Sequence, residues 1–120
     1  NSAPIWAWIG ATAWVMGMHA YSAVPDIKTD KDAGLSTVAT LFGGKGTIVL
    51  CALLWTLSTI AAVMLLGPVG LTGLVYPGLM VSALPRNQKE RFKLYKAFPL
   101  VNTLVGAALF WTIVLQGNLL

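Results

Sequence analysis

TIVLCALLWTLSTIAAVMLLG, residues Thr47 to Gly67, contains no charged side chain, and the run continues past Pro68 through VGLTGLVYPGLMVSAL to Leu84. A helix needs about 20 apolar residues, rising about 1.5 Å each, to cross a hydrocarbon layer of about 30 Å. This stretch therefore supplies membrane-spanning helix. Working outward from it, the eight basic and four acidic residues all fall in two windows, Asp26 to Lys45 and Arg86 to Lys96. With 57% hydrophobic and 10% charged residues, the 120-residue chain has too little polar surface to cover a soluble domain of that size.

Four spans follow, which makes the expected fold an all-α integral membrane bundle. The first runs from about Ile5 to Val24, with Ser2 as N-cap and Pro4 in the first turn, where a missing N–H costs nothing. The second covers Thr47 to Gly67 and the third Val69 to Leu84, with a kink expected at Pro77. The fourth runs from Ala97 to Gln116, after a charged loop from Arg86 to Lys96. Gly67-Pro68 is a turn signal between the second and third. Two crossings separate the charged windows, so both belong on one side. Their lysines and arginines place that side in the cytoplasm and both chain ends outside.

A net charge of +4 raises the question of nucleic acid. Five of the basic residues, Arg86, Lys89, Arg91, Lys93 and Lys96, sit between apolar spans, and that is a juxtamembrane loop facing lipid head groups. The single cysteine, Cys51, has neither a partner for a disulfide nor a nearby histidine for zinc. It reads as packing bulk. Trp6 and Trp8 at one end, and Phe92, Tyr95 and Phe98 at the other, fit interfacial aromatic belts. The first residue is not a start methionine, and the opening lacks a signal-peptide n-region. The chain is expected to be a piece of something longer.

The acidic cluster Pro25-Asp26-Ile27-Lys28-Thr29-Asp30-Lys31-Asp32 lies where the first span should leave the bilayer. Val24 precedes a proline and is steered away from helical dihedrals, so the span ends or bends there. In a new short helix Asp26 and Asp30 are four positions apart. That spacing sets both carboxylates on one face, with Cβ atoms about 6 Å apart. Their repulsion is relieved by a shared cation, and hard oxygens without histidine or cysteine suit magnesium bridging a diphosphate. The bland alternative is a solvated loop of alternating charge. Lys28 should point away from the pair, while Lys31 adds counter-charge. Gly34 stops this helix, and Ser36 or Thr37 caps another ending at Gly43-Gly44.

Counting back from Asp26 at helical intervals gives Ser22, His19 and Thr12, a polar stripe that should face a protein interior or cavity. His19 is either a catalytic group or an interhelical hydrogen-bonding one. Tyr21, with Met18 and Trp14, either stabilises a carbocation or packs.

The run from Met18 to Gly43 resembles the second aspartate-rich motif of the UbiA superfamily of intramembrane prenyltransferases. The likeness rests on Asp26-x-x-x-Asp30, the basic Lys31, Gly34, Ser36-Thr37 and the closing Phe42-Gly43. Within it, His-Ala-Tyr-Ser-Ala-Val-Pro-Asp, ending at Asp26, is most similar to the carotenoid branch that elongates lycopene. The resemblance implies nine helices around a cavity, with two acidic motifs facing each other across magnesium and a prenyl diphosphate. Residues 1–120 would then be the C-terminal part, its four spans matching the sixth to ninth helices. Asp26 and Asp30 would be the metal ligands and Lys31 a neutraliser of diphosphate oxygens, with His19 and Tyr21 as further catalytic candidates. The donor would be dimethylallyl diphosphate and the acceptor lycopene, with quinone, haem, chlorophyllide or lipid acceptors as relatives' alternatives.

No first acidic motif is present, because the only acid outside the cluster is Glu90. The missing N-terminal half or a partner chain would have to supply it, and this chain alone is expected to be inactive. The competing class is a non-catalytic membrane subunit or transporter fragment, anchored by its charged windows.

Overall fold

An unsatisfied backbone group in hydrocarbon costs several kcal/mol, so a chain this apolar is driven to close its hydrogen bonds within helices. In the computed structural model, which describes residues 3–115, no strand occurs among the described residues. Helix α1 covers Ala3–Ser22, α2 Ile27–Asp32 and α3 Val38–Leu66. A 3-10 segment follows over Gly67–Leu74, then α4 over Val75–Ala83 and α5 over Gln88–Leu115. The fold is all-α. Ser2 and Gln116, the expected cap of the first span and end of the last, lie outside the described residues.

Two stretches, Val38–Ala83 and Gln88–Leu115, are long and apolar enough to cross a membrane, where the sequence suggested four crossings. The first stretch is not a single rod. At Gly67 φ is +78°, a conformation open to glycine, and Pro68 follows. Beyond it the chain doubles back along α3. A Cβ on Gly70 would stand 2.5 Å from the backbone of Ala62 and Val63, and one on Gly73 would stand 2.8 Å from Thr59 Oγ1. Farther along, the Tyr76 and Trp55 rings are 5.4 Å apart. The descending partners 62, 59 and 55 against ascending 70, 73 and 76 describe an antiparallel hairpin closed at Gly67. Helix α1 has 20 residues, but its tryptophans, Tyr21, His19 and Ser22 keep it from having an apolar stretch as long as those two.

Two expectations need correction. The irregularity placed at Pro77 lies upstream, in the 3-10 segment. Pro77 is the third residue of α4, where its missing N–H is tolerated, while its ring crowds the carbonyl four residues earlier and discourages α-helix there. The charged loop from Arg86 to Lys96 is also mostly helix. Asn87 Oδ1 accepts from the Glu90 N–H at 2.9 Å, so α5 begins inside the charged window.

Small residues let α1 and α3 approach closely, as they do between membrane helices generally. A Cβ on Gly17 would come within 2.7 Å of the Trp55 indole, and one on Gly10 within 3.0 Å of Ala61. Each close approach carries a hydrogen bond to an α1 carbonyl. Trp55 Nε1 donates to Trp14 O at 3.1 Å, Ser58 Oγ to Gly10 O at 3.0 Å, and Cys51 Sγ to Gly17 O at 3.4 Å. Cys51 is thus fully buried packing material. Around Trp55 gather Tyr21, Tyr76 and Phe98, with the Phe98 ring 5.6 Å from Trp55 and 5.1 Å from Tyr21. Phe98, expected in an interfacial belt, is 1% exposed and belongs to this core, whereas Trp8 is 74% exposed.

Candidate functional site

The two charged windows share one end of the bundle, and the contacts between them show how. Gln88 Nε2 donates to Val24 O, and the Tyr21 hydroxyl donates to Arg91 O at 2.8 Å. Arg91 is itself buried at 7% exposure. Its Nε donates to Ala83 O at 3.2 Å and its Nη2 to Leu84 O at 2.9 Å, so the guanidinium closes the carbonyl end of α4, where a cation is favoured. Its Nη1 occupies the space a side chain on Gly44 would need. The basic window therefore clamps the exit of α1, the end of α4 and the start of α3's long segment.

The acidic window is built by local turns. After α1 ends, Asp26 N–H donates to Ala23 O at 3.2 Å and Ile27 N–H to Val24 O at 3.4 Å. Asp30 N–H donates to Asp26 O at 2.8 Å, so the two aspartates stand one helical turn apart, on one face. Gly34, at φ +73°, terminates α2, with Gly34 N–H on Lys31 O at 3.0 Å and Leu35 N–H on Asp30 O at 2.8 Å. Thr37 and Thr40 then cap each other reciprocally at the start of α3. At Gly43 α3 breaks, with φ 75° and ψ 175°, where the sequence placed a stop, and the helix resumes immediately.

Asp26 is exposed and Asp30 half-buried. Among the described residues, Arg86–Glu90 at 3.5 Å forms the one ion pair, and no side-chain hydrogen bond engages Asp26, Asp30, Asp32, Lys28 or Lys31. The carboxylate pair is thus free to take an external cation. Among the described residues no three His, Cys, Asp or Glu side chains gather closely enough to hold a metal. The pair offers hard oxygens with no nitrogen or sulfur beside them, a partial set that suits magnesium, which retains water and phosphate ligands.

Along α1 the stripe above Asp26 faces away from the core. Thr12 and His19 are exposed, Ser22 is half-buried, and Ser22 Oγ donates to His19 O at 2.7 Å. His19 and Ser22 line a shallow pocket of about 320 Å³ with Trp14, Met18 and Tyr95. Tyr21 turns the other way. It is fully buried, with its hydroxyl on Arg91 O and its ring against Phe98, and it does not line that pocket.

Sharing Trp14 with this pocket, a second cavity of about 340 Å³ runs deeper between α1, α3, α4 and α5. On its wall the Tyr76 hydroxyl donates to Asn102 Oδ1 at 2.6 Å. Arg91, Tyr76 and Asn102 do not stand out individually in the sequence. Asn102 carried a usable signal, because an amide in an apolar span faces a cavity or partner by the same logic applied to His19. Arg91 carried none, since its burial depends on where α4 ends in space.

No family model matches the chain, and no solved structure matches it. Three curated proteins that it resembles are each named lycopene elongase/hydratase. One, from Halobacterium salinarum, is 44% identical over 105 residues, covering 86% of this chain and 37% of that protein. Another, from Haloarcula japonica, is 37% identical over 103 residues, covering 86% of this chain and 35% of that protein. A third, from Corynebacterium glutamicum, is 28% identical over 115 residues, covering 90% of this chain and 40% of that protein. The chain thus spans roughly a third to two fifths of the length of these relatives. Proteins with these names are enzymes acting in carotenoid chemistry, and membrane-compatible helices accord with such apolar compounds.

Proposed function

We propose that the chain is part of an integral membrane prenyltransferase of the UbiA type, which joins a C5 unit from dimethylallyl diphosphate to a carotenoid acceptor such as lycopene. The second word of the relatives' name extends the reading to addition of water at the acceptor. One observation carries it: two carboxylates stand on one helix face at the end of an apolar bundle, engaged by no protein cation among the described residues. The similarity to proteins named lycopene elongase/hydratase supports a carotenoid acceptor in this reading.

In this reading Asp26 and Asp30 hold Mg²⁺, which would offset charge on the diphosphate as it leaves. The remaining carboxylate ligands come from outside the described residues. Lys31, one position beyond Asp30, supplies positive charge toward the diphosphate oxygens. The acidic motif faces the cytoplasm, where a charged donor is dissolved, and the acceptor reaches the site from the bilayer. His19 and Ser22 sit in the adjoining pocket with Trp14, Met18 and Tyr95. The apolar and aromatic walls of that pocket would lie against the allyl group, and aromatic faces favour positive charge. The buried Tyr21 acts at one remove, holding the Arg91 segment against α1.

The test uses membranes containing the full-length gene product with lycopene, dimethylallyl diphosphate and magnesium. C5-extended carotenoid that disappears on chelation supports the reading. Failure to extend lycopene or any other polyene would contradict it.

A further inference from the structure

The cavity behind Trp14 has features that the acidic site does not use. Its lining is apolar and aromatic except at a few points, and the hydroxyls among them are already engaged. Ser58 Oγ donates to Gly10 O at 3.0 Å and Thr59 Oγ1 to Trp55 O at 2.8 Å. The exception is Asn102. Its Oδ1 accepts from Tyr76, while its Nδ2 has no partner among the described residues. Asn102 is half-buried, and an amide in an apolar span whose donors are left open tends to face a cavity or a ligand. Asn102 lies six residues past Lys96 on α5, about 9 Å deeper than the charged window at the helical rise.

We propose that Tyr76 and Asn102 form a hydroxyl-binding subsite, and that the cavity takes the end of an isoprenoid alcohol. The apolar chain lies against Trp14 and Trp55. Its alcohol oxygen accepts from Asn102 Nδ2, and the Tyr76 hydroxyl fixes the amide by occupying Oδ1. A plain hydrocarbon fills the same space but leaves the amide donors unpaired. The subsite therefore discriminates between an alkene end and its hydrated counterpart. This rests on the reading of the chain as an enzyme of isoprenoids, whose hydration step would generate such an alcohol.

Gly106 provides a way to test the cavity without disturbing the fold. It lines the cavity, and a Cβ there would meet no atom within 4 Å, so a leucine side chain enters open space. Gly70 and Gly73 would instead collide with α3.

The experiment photolabels the full-length protein in phosphatidylcholine nanodiscs with a diazirine-bearing C20 isoprenoid alcohol. Unlabelled alcohol and the matched C20 hydrocarbon then compete. The expected label maps to the peptides carrying Trp14 and Val105 to Leu109, and the alcohol competes about tenfold better than the hydrocarbon, the equivalent of about 1.4 kcal/mol. Asn102→Leu should reduce that preference below twofold while hydrocarbon binding persists. Gly106→Leu should weaken both competitors about tenfold. Equal competition by the two ligands in the unmodified protein, label confined elsewhere, or a Gly106→Leu variant with unchanged binding each overturns the subsite. C5 transfer is scored separately. Its absence with the alcohol preference intact would overturn the transferase reading and leave the subsite standing.

Discussion

The two charged windows meet at the same end of the bundle and use their charge in opposite ways. In the second window Arg91, Gln88, Arg86 and Glu90 are engaged within the fold, while Lys89, Lys93 and Lys96 stay exposed. Arg91 is buried on the Ala83 and Leu84 carbonyls, Gln88 holds Val24 O, and Arg86 pairs with Glu90. In the first window the backbone is organised by turns and caps, while among the described residues no cation engages the carboxylates of Asp26 and Asp30. A membrane protein has strong reason to pair or hydrate every charge, and carboxylates held on a well-ordered segment at the end of the bundle are accessible to a ligand. The basic window serves the scaffold, and the acidic window is the proposed site.

The largest effect should come from the side chains that the fold does not use. Asp26→Ala combined with Asp30→Ala is expected to reduce C5 transfer by about 10³-fold or more, with thermal stability in detergent nearly unchanged. A large drop in unfolding temperature in that variant would erase the contrast between the windows. Second, Arg91→Met removes the donors from two carbonyls at the end of α4 and should destabilise the protein by about 2–3 kcal/mol. Unfolding measurements on the purified variant check it. A neutral result would mean that the guanidinium is ornamental.

Tyr21→Phe sharpens the comparison further, because it keeps the ring against Phe98 and deletes only the bond to Arg91 O. A cost of about 1 kcal/mol is expected by thermal unfolding, with transfer retained in proportion to folded protein. If transfer instead collapsed in fully folded protein, Tyr21 would belong to the chemistry rather than to the clamp. The smallest effect should come from Arg86→Ala. Both partners of its ion pair are about half exposed, at 48% and 47%, and such pairs contribute about 0–0.5 kcal/mol. A cost above about 1 kcal/mol would place that pair inside the scaffold.

Much of this was legible in the sequence, for reasons that are local. The break after Val24, the stop at Gly34, the cap at Thr37 and the hairpin at Gly67 each depend on one or two residues with restricted dihedrals or a capping hydroxyl. The one-turn spacing of Asp26 and Asp30 is likewise a local fact. The start of α5 was readable too, from Asn87 and Glu90, but the density of charge there suggested loop. What could not be read depends on tertiary meeting points. Phe98 looks interfacial until α5 is seen to lay it on Trp55, and Arg91 looks solvated until the carbonyl end of α4 arrives beside it. The stripe of Thr12, His19 and Ser22 was expected to face a protein interior or cavity, whereas among the described residues Thr12 and His19 are exposed and Ser22 is half-buried.

The central claim is that Asp26 and Asp30 jointly hold a divalent ion together with diphosphate. Electron paramagnetic resonance of Mn²⁺ titrated into the full-length protein with inorganic diphosphate addresses it without needing turnover or an acceptor. The account predicts a bound-manganese signal that strengthens with diphosphate and is lost in Asp26→Asn combined with Asp30→Asn. The same signal, undiminished in that double variant, would contradict it.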